Sequence, residues 1–199
     1  MEKNKKVCVM LADGFEEIEA LTVVDVLRRS NIECDMVSIK DELVKGAHGI
    51  FVKADKKISN INKNEYTMIV LPGGLPGATN LENCEELIKW IKEVVNNPKK
   101  YVAAICAAPM ILARADIVKG KMITSYPADE FRDVLRDAKY IDDKQQTVVV
   151  DGNIITSRGP ATAFDFAYKL AETLGKKVEQ LKKGMLYDWN TKQINKWKQ

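Results

Sequence analysis

KYVAAICAAPMILAR, at residues 100–114, carries the strongest structural signal in this 199-residue chain. The residues from Tyr101 to Ile105 are aromatic, β-branched or small and carry no charge, which is typical of a buried strand. Cys106 follows directly, and Ala-Ala-Pro then opens an apolar run with helical character. The pattern predicts a strand, a sharp turn and a helix, with the cysteine at the turn.

A cysteine at such a turn lies at the carboxyl edge of a sheet and at a helix N-terminus. Free N–H groups and the positive end of the helix dipole favour the thiolate over the thiol there. The same geometry positions the serine of the nucleophile elbow in hydrolases, although the glycines of G-x-S-x-G are absent here. The alternative is a small buried cysteine that caps a core strand. These residues alone leave both interpretations open.

Composition argues against several classes of protein. With 46% hydrophobic residues the chain can bury one sizeable core, so we expect a single domain over 1–199 with a polar tail from about 187. The 31 basic and 28 acidic side chains are interspersed, and the net charge of +3 indicates neither nucleic acid nor an anionic membrane as partner. The chain shows no apolar run of membrane-spanning length and no signal peptide at its start, so a cytoplasmic location is expected.

Cysteine and histidine usage argues against a metal site. The four cysteines stand far apart without a C-x-x-C motif, so the sequence indicates neither a zinc site nor a disulfide framework. His48 is the single histidine, and a Cys–His couple would have to use it. Because His48 lies on a predicted irregular hairpin arm, an exposed loop histidine is the favoured interpretation.

Strand-like and helix-like segments alternate along the chain. The predicted strands cover 6–12, 32–39, 66–71, 101–105 and 122–124, and the predicted helices cover 16–30, 81–95, 129–137, 161–175 and 177–186. Hairpins are predicted at 44–52 and, around the turn Asp151-Gly152, at 147–156. Repeated strand–helix units with uncharged strands predict a parallel sheet that helices cover on both faces.

Three features are predicted to meet at the carboxyl edge of this sheet, where such folds bind ligands. They are the glutamates after the first strand, Gly73-Gly74 after the strand at 66–71, and Cys106. Glycines let the backbone approach a ligand, so their N–H groups and that of Ala107 would surround an oxyanion. The alternative is an ordinary turn. Neither phosphate-binding glycine motif is present.

Glu19 differs from the two glutamates before it. Glu16 and Glu17 occupy a first helical turn, where carboxylates complement the helix dipole without any further function. Glu19 follows Ile18, which is predicted to face the core, and so lies at the margin of the apolar face. Burial raises the pKa of a carboxyl group, and a protonated Glu19 would donate a hydrogen bond to a nearby thiolate. A solvated Glu19 is the alternative.

Four segments carry a family resemblance: LADGFEEIEA at 11–20, VLPGG at 70–74, AAICAAP at 103–109 and TSRGPATAFDFA at 156–167. Together they resemble the ThiJ/PfpI superfamily, most closely its Parkinsonism-associated branch known as "DJ-one", over residues 6 to about 185. The resemblance implies a flavodoxin-like α/β fold, a three-layer sandwich with a mostly parallel central sheet. It also implies a homodimer formed partly through the first helix.

The resemblance assigns roles to individual residues. It implies that Cys106 is the reactive nucleophile, placed on a nucleophile elbow, and that Glu19 is the carboxylic acid that hydrogen-bonds its thiolate. It implies that Gly74 and Ala107 supply backbone N–H groups at the same site. The resemblance therefore favours these roles over the alternatives given above, which were a buried core cysteine, a solvated glutamate and an ordinary turn.

Gly73, Tyr126, Gly159 and Pro160 are predicted to line the substrate pocket. Many relatives carry a histidine before the proline of the segment after the elbow helix, whereas this chain reads Ser-Tyr-Pro at 125–127. A mechanism that needs a Cys–His dyad, including the peptidase activity of more distant superfamily members, is therefore not expected. Tyrosine, with an ordinary pKa of about 10, is a poor base at neutral pH.

Two functions follow from the resemblance. The first is a cysteine-dependent glyoxalase or deglycase that acts on a small dicarbonyl such as methylglyoxal, or on a glycated substrate, and needs no metal or organic cofactor. The alternative is an oxidative-stress sensor or redox-regulated chaperone in which Cys106 is oxidised to the sulfinate. For the expected homodimer, Val23, Val24 and Leu27 are predicted to provide apolar surface on the first helix.

Overall fold

A seven-stranded sheet lies at the centre of the computed structural model, which describes residues 5–143 and 145–187. The strands are β1 Lys6–Leu11, β2 Glu33–Ser38, β3 Leu43–Lys45, β4 Phe51–Lys53, β5 Lys56–Lys57, β6 Met68–Leu71, β7 Tyr101–Ile105, β8 Met122–Ile123, β9 Lys139–Tyr140, β10 Val148–Asp151 and β11 Ile154–Ser157. The helices are α1 Glu17–Arg29, α2 Gly77–Glu82, α3 Glu85–Val95, α4 Pro109–Arg114, α5 Asp129–Val134, α6 Ala163–Thr173 and α7 Glu179–Gly184. No helix in this part of the chain is long and apolar enough to cross a membrane.

The strand order of the central sheet positions the functional residues. The order is β10-β11-β7-β6-β1-β2-β5, and all neighbours are parallel except the β10–β11 pair at one edge. From β1 the chain runs to β2 on one side and then returns to β6 on the other. The carboxyl ends of β1 and β6 therefore flank the point where the strand order reverses, which is where folds of this type bind ligands.

Two apolar cores cover the two faces of the sheet, because alternate residues of a strand point to opposite sides. Val7, Val9 and Leu11 of β1 belong to the core formed with α1 and α6. Cys8 and Met10 of the same strand belong to the core formed with α3 and α4. All six residues of β1 are buried. The predicted mostly parallel sheet with helices on both faces is confirmed.

The prediction of one helix over 81–95 is wrong. The chain forms α2, which ends at Glu82, and α3, which begins at Glu85. Between them Cys84 adopts an extended backbone with a ψ of 92°. Because Leu81 and Leu87 are both fully buried in the same core, the apolar periodicity continues across this break. The pattern of apolar residues therefore gave no sign of the break.

The predicted orientation of α1 is wrong in two respects. Ile18, predicted to face the core, is 54% exposed. Val23, Val24 and Leu27, predicted as apolar surface for a dimer, are buried in the core of their own chain, where α1 packs on α6. The α1 residue that does present a large apolar side chain to solvent is Ile18.

Both predicted hairpins are confirmed as antiparallel strand pairs, β3–β4 and β10–β11. The strands β5 and β9 have two residues each and were not predicted, because such short polar segments carry no apolar pattern. The polar tail predicted from about 187 lies, from residue 188 on, outside the described residues.

Candidate active site

The predicted site residues come together where three neighbouring strands end. Glu19 lies on α1 after β1, Gly73 and Gly74 follow β6, and Cys106 follows β7. Since β6 lies between β1 and β7 in the sheet, the glycines lie between the carboxyl group and the thiol. A Cβ built on Gly73 would be 2.7 Å from Cys106 Cβ and 2.8 Å from Glu19 Oε2, which shows how closely the three approach.

The backbone of Cys106 is held in an unusual conformation. Its φ is +64°, in the left-handed region that is unfavourable for residues other than glycine. The Cys106 N–H donates to the carbonyl oxygen of Ser157 at 3.1 Å, and its own carbonyl oxygen accepts from the N–H of Tyr126 at 2.9 Å. Two segments distant in sequence therefore stabilise the strained turn on which the thiol is carried.

Glu19 is completely buried. Its Oε2 accepts the Gly73 N–H at 2.7 Å, and its backbone N–H donates to Oε2 of Glu16, the N-cap of α1, at 2.8 Å. The other carboxyl oxygen, Oε1, is buried without a hydrogen-bond partner in the described part of the chain. Burial raises the pKa of Glu19 to about 7, against the opposing effects of the Gly73 N–H and the neighbouring Cys106 thiol. Of the two interpretations of Glu19, the buried carboxyl is confirmed and the solvated one is wrong.

The pKa of Cys106 moves in the opposite direction from the prediction. Burial, followed by the nearby Glu19 carboxylate, raises the pKa of the thiol to about 12, whereas the N–H groups of Ala107 and Gly74 lower it. The predicted preference for the thiolate is therefore wrong for Cys106 beside an ionised Glu19. Because the Glu19 carboxylate raises the pKa of the Cys106 thiol, the two groups do not ionise independently and share a proton.

The glycines after β6 form more than an ordinary turn. Gly74 has a φ of +83°, and a Cβ there would lie 2.4 Å from the Glu16 backbone nitrogen. Only glycine fits at position 74 without displacing backbone atoms. Because it has no side chain, the backbone can approach closely enough for the Gly74 N–H to reach the Cys106 thiol. The N–H of Ala107 reaches the same sulfur. The structure thus places both predicted backbone donors at the thiol.

Three of the four residues predicted to line a substrate pocket do line one pocket. Tyr126, Gly159 and Pro160 lie in the wall of an open cavity of about 650 Å³, whereas Gly73 does not line it and packs against Cys106 and Glu19. Tyr126 is half exposed, and its ring packs edge-on against Phe131 with 6.2 Å between ring centroids. Its N–H bond to Cys106 places this pocket next to the thiol turn.

Charged residues of the same pocket were missed by the sequence analysis. Arg132, Asp142 and Arg158 line it together with the residues above. Arg158 lies inside the segment TSRGPATAFDFA, so a signal for it was present in the sequence. Arg132 and Asp142 follow no motif, and only the folded chain brings them to Arg158.

His48 pairs with Glu17 and not with Cys106. Its Nδ1 lies 2.8 Å from Glu17 Oε2, and its backbone N–H donates to Glu17 Oε1 at 2.8 Å. The histidine is exposed, as predicted, and the hydrogen bond to Glu17 raises its pKa. Glu17 therefore ties the β3–β4 hairpin to α1, a role beyond the predicted complement to the helix dipole. Glu16, Glu17 and His48 place one potential metal ligand atom each within 4.8 Å of one another, with Glu16 Oε1 3.9 Å from His48 Nδ1.

The chain belongs to the DJ-1/PfpI family, whose family profile matches residues 5–173. The family resemblance and the flavodoxin-like fold inferred from the sequence are therefore confirmed. Among solved structures, Drosophila melanogaster DJ-1beta superposes with a TM-score of 0.86 at 37% identity, covering 92% of this chain and 98% of that one. The structure described as oxidized Toxoplasma gondii DJ-1 gives a TM-score of 0.76 at 36% identity, covering 85% and 90%.

A relative with a described activity is similar over most of its length. The glutathione-independent glyoxalase DJ-1 of Schizosaccharomyces pombe is 33% identical over 182 residues, which cover 86% of this chain and 92% of that protein. Family membership and this relative together support a DJ-1-type function.

Proposed function

We propose that this protein is a cysteine-dependent glyoxalase or deglycase that converts methylglyoxal, or its adducts on amino groups, without a metal or organic cofactor. The observation that carries the proposal is the completely buried Glu19 carboxyl next to the Cys106 thiol, with the Gly74 and Ala107 N–H groups at the same sulfur. The name of the S. pombe relative, a glutathione-independent glyoxalase, supports the same chemistry.

The first step uses the single proton of the Glu19–Cys106 pair. When that proton resides on Glu19, the Cys106 thiolate adds to the aldehyde carbon of methylglyoxal, forming a C–S bond while the carbonyl π electrons move to oxygen. The N–H groups of Gly74 and Ala107 stabilise the developing alkoxide. Glu19 then donates its proton to this oxygen, which yields a neutral hemithioacetal and a Glu19 carboxylate.

The same carboxylate completes the rearrangement. It removes the proton from the former aldehyde carbon to give an enediolate, and it then returns that proton to the neighbouring carbon. As this happens, the hydroxyl proton on the sulfur-bearing carbon passes to the neighbouring alkoxide oxygen, and the sulfur-bearing carbon becomes a thioester carbonyl. Water hydrolyses this thioester, which releases lactate and restores the thiol. The overall reaction adds one water to methylglyoxal and requires no external oxidant or reductant. A pKa of about 7 suits a group that serves first as acid and then as base.

Turnover of methylglyoxal to lactate by three variants tests the proposal. Cys106→Ser is expected to lose at least about a thousand-fold in kcat/KM, because an alcohol replaces the nucleophilic thiol. Glu19→Gln, which keeps the shape of the side chain but does not exchange protons, is expected to lose about a hundred-fold. Cys84→Ser, at a partly exposed cysteine on the loop before α3, is the matched control and should retain full activity. Full turnover by Cys106→Ser would overturn the assignment.

A second candidate function is oxidation of Cys106 to the sulfinate in a redox sensor or redox-regulated chaperone. Similarity to an oxidized T. gondii DJ-1 structure favours it, as does an acid next to a partly buried thiol. Stoichiometric formation of the sulfinate by peroxide, seen by mass spectrometry, together with negligible dicarbonyl turnover would select this function over the first. The predicted cytoplasmic location suits either function.

We also infer that the chain forms a homodimer through α1 and the β3–β4 hairpin. Ile18, Ile50 and Phe51 present large apolar side chains to solvent there, each more than half exposed. Since Glu17 connects the hairpin to α1, this apolar surface is held in one arrangement. Light scattering should give twice the mass of the chain, and Phe51→Glu should shift the protein towards monomer. A monomeric wild type would refute the inference.

A further inference from the structure

The pocket next to the Cys106 turn carries an excess of positive charge. Arg132 and Arg158 both line it, and among the described residues of its wall Asp142 is the acidic one. Asp142 Oδ1 accepts from Arg158 Nη2 at 2.8 Å, and Oδ2 accepts from Arg132 Nη2 at 2.7 Å. One carboxylate is therefore shared by two guanidinium groups, which remain positively charged at physiological pH.

The other contacts of the two arginines compensate little of the remaining positive charge. The Arg158 side chain is only 12% exposed, and its Nη1 contacts among the described residues are long, 3.5 Å to Thr124 Oγ1 and 3.4 Å to the Asp143 carbonyl oxygen. Arg132 stacks over the Tyr140 ring and lies 3.8 Å from Asp129, whose side chain is 96% exposed. A solvated carboxylate at that distance contributes little. A largely buried guanidinium group that shares its counter-ion with a second one favours an anionic ligand.

The pocket is placed to hold one end of a molecule that reacts at Cys106. Tyr126, in its wall, donates its backbone N–H to the Cys106 carbonyl oxygen. On the other side, the Cys106 N–H donates to Ser157, the residue before Arg158. The segments that carry the pocket therefore contact the thiol turn directly. Methylglyoxal is far smaller than a cavity of about 650 Å³, so the thiol site alone does not account for this space.

We propose that this pocket binds an anionic group, a carboxylate or a phosphate, of a carbonyl substrate whose reactive carbon lies at Cys106, with Arg158 and Arg132 as specificity-determining residues. The proposal rests on the proposed function and narrows its substrate class to 2-oxoaldehydes, or their adducts, that carry an anionic tail. Asp142 binds both guanidinium groups and holds them in position before the substrate arrives, so little side-chain entropy is lost on binding.

Matched substrates test the proposal. 4,5-Dioxopentanoate carries a carboxylate, and its methyl ester is a neutral dicarbonyl with the same skeleton. The wild type should favour the carboxylate about ten-fold or more in kcat/KM, as expected for a hydrogen-bonded charged group. The phosphate ester of hydroxypyruvaldehyde, compared with the carboxylate, shows which anion the pocket prefers. Equal kcat/KM values for the carboxylate, the phosphate and the ester would overturn the proposal.

Two variants connect the preference to the pocket. Arg132→Gln, at a partly exposed side chain, should reduce the preference for the anion over the ester to about two-fold or less. Arg158→Gln should reduce the preference in the same way, and circular dichroism is used to check that this variant, changed at a nearly buried side chain, still folds. The control is Arg136→Gln, at an exposed arginine just after α5, the helix that carries Arg132. This variant should retain the wild-type preference. Unchanged preference in correctly folded Arg132→Gln and Arg158→Gln would assign the selectivity elsewhere and refute the proposal.

Failure of the proposed function is distinguishable from failure of this proposal. A wild type that converts methylglyoxal without preferring an anion refutes the pocket proposal alone. If no dicarbonyl is converted, calorimetric titration with unreactive glutarate and glycerol phosphate still tests the pocket. The pocket proposal is supported if the wild type binds either anion, if Arg132→Gln weakens this binding about ten-fold, and if dimethyl glutarate does not bind. No binding of either anion refutes it.

Discussion

Replacing Glu19 with glutamine should change how the stability of this protein depends on pH. Glutamine keeps the length of the side chain and an oxygen that accepts the Gly73 N–H, but it does not ionise. In the wild type the Glu19 carboxyl is completely buried, and burial raises its pKa from 4.5 to about 7. The variant therefore removes one titration and leaves the packing nearly unchanged.

The direction and size of the effect follow from the two pKa values. Below about pH 4.5 Glu19 is neutral in both the folded and the unfolded chain, so its burial carries no penalty for charge. Between pH 4.5 and 7 the unfolded chain releases the proton while the folded chain retains it, so the free energy of unfolding falls as the pH rises. At about 1.4 kcal/mol for each pH unit, the loss is about 3 kcal/mol and is complete above about pH 7.

Urea denaturation of the wild type and Glu19→Gln at pH values from 4.5 to 8 measures this effect. Other titrating groups cancel in the difference between the two proteins, so the wild type should lose about 3 kcal/mol relative to the variant across this range. Glu93→Gln, at an exposed position on α3, is the control and should follow the wild type. Parallel curves for the wild type and Glu19→Gln would show that Glu19 ionises normally and would refute the proton-sharing site.

Three further predictions follow from single contacts. Gly74→Ala should destabilise the protein by about 2–4 kcal/mol in urea denaturation, because the added Cβ would meet a backbone nitrogen at 2.4 Å. The control Gly152→Ala, where the added Cβ meets open space, should cost only about 1 kcal/mol. By NMR, His48 should titrate above its usual pKa, and Glu17→Gln should move the pKa back down; an unshifted His48 would contradict the Glu17 contact. Leu27→Ala, in the core between α1 and α6, should cost about 2–5 kcal/mol in the same denaturation assay, and a loss below 1 kcal/mol would contradict its burial.

The sequence by itself determined the main elements of the sheet. The strands β1, β6 and β7 were predicted within two residues at each end, since uncharged apolar runs of this length are stable only when both faces are covered. The hairpin β10–β11 followed from its Asp-Gly turn, whose local conformation needs no distant contact. These predictions succeeded because neighbouring residues alone carry the signal.

The sequence also determined which residues meet at the site, but in part only through family resemblance. Parallel strands place their carboxyl ends at one edge, so Cys106 and the glycines after β6 were expected together from the pattern alone. The pattern did not decide whether Glu19 is buried or solvated. The four family segments favoured burial, and the structure confirms it.

Tertiary structure alone decided the direction in which α1 presents its residues and the charge state of the thiol. Ile18 turns to solvent while Glu19 turns inward, and Val23, Val24 and Leu27 pack in the core that α1 forms with α6. Helix dipole arguments predicted a thiolate at Cys106, but desolvation and the neighbouring Glu19 carboxylate outweigh two backbone N–H groups.

The charged pocket beside the thiol also belongs to tertiary structure alone. Arg132, Asp142 and Arg158 come from three separate segments, and no local pattern predicts that one carboxylate will bind two guanidinium groups. Local sequence specifies strands, turns and helix faces through contacts within a few residues. Burial, pKa values and shared counter-ions depend on which distant segments pack together, so only the folded chain determines them.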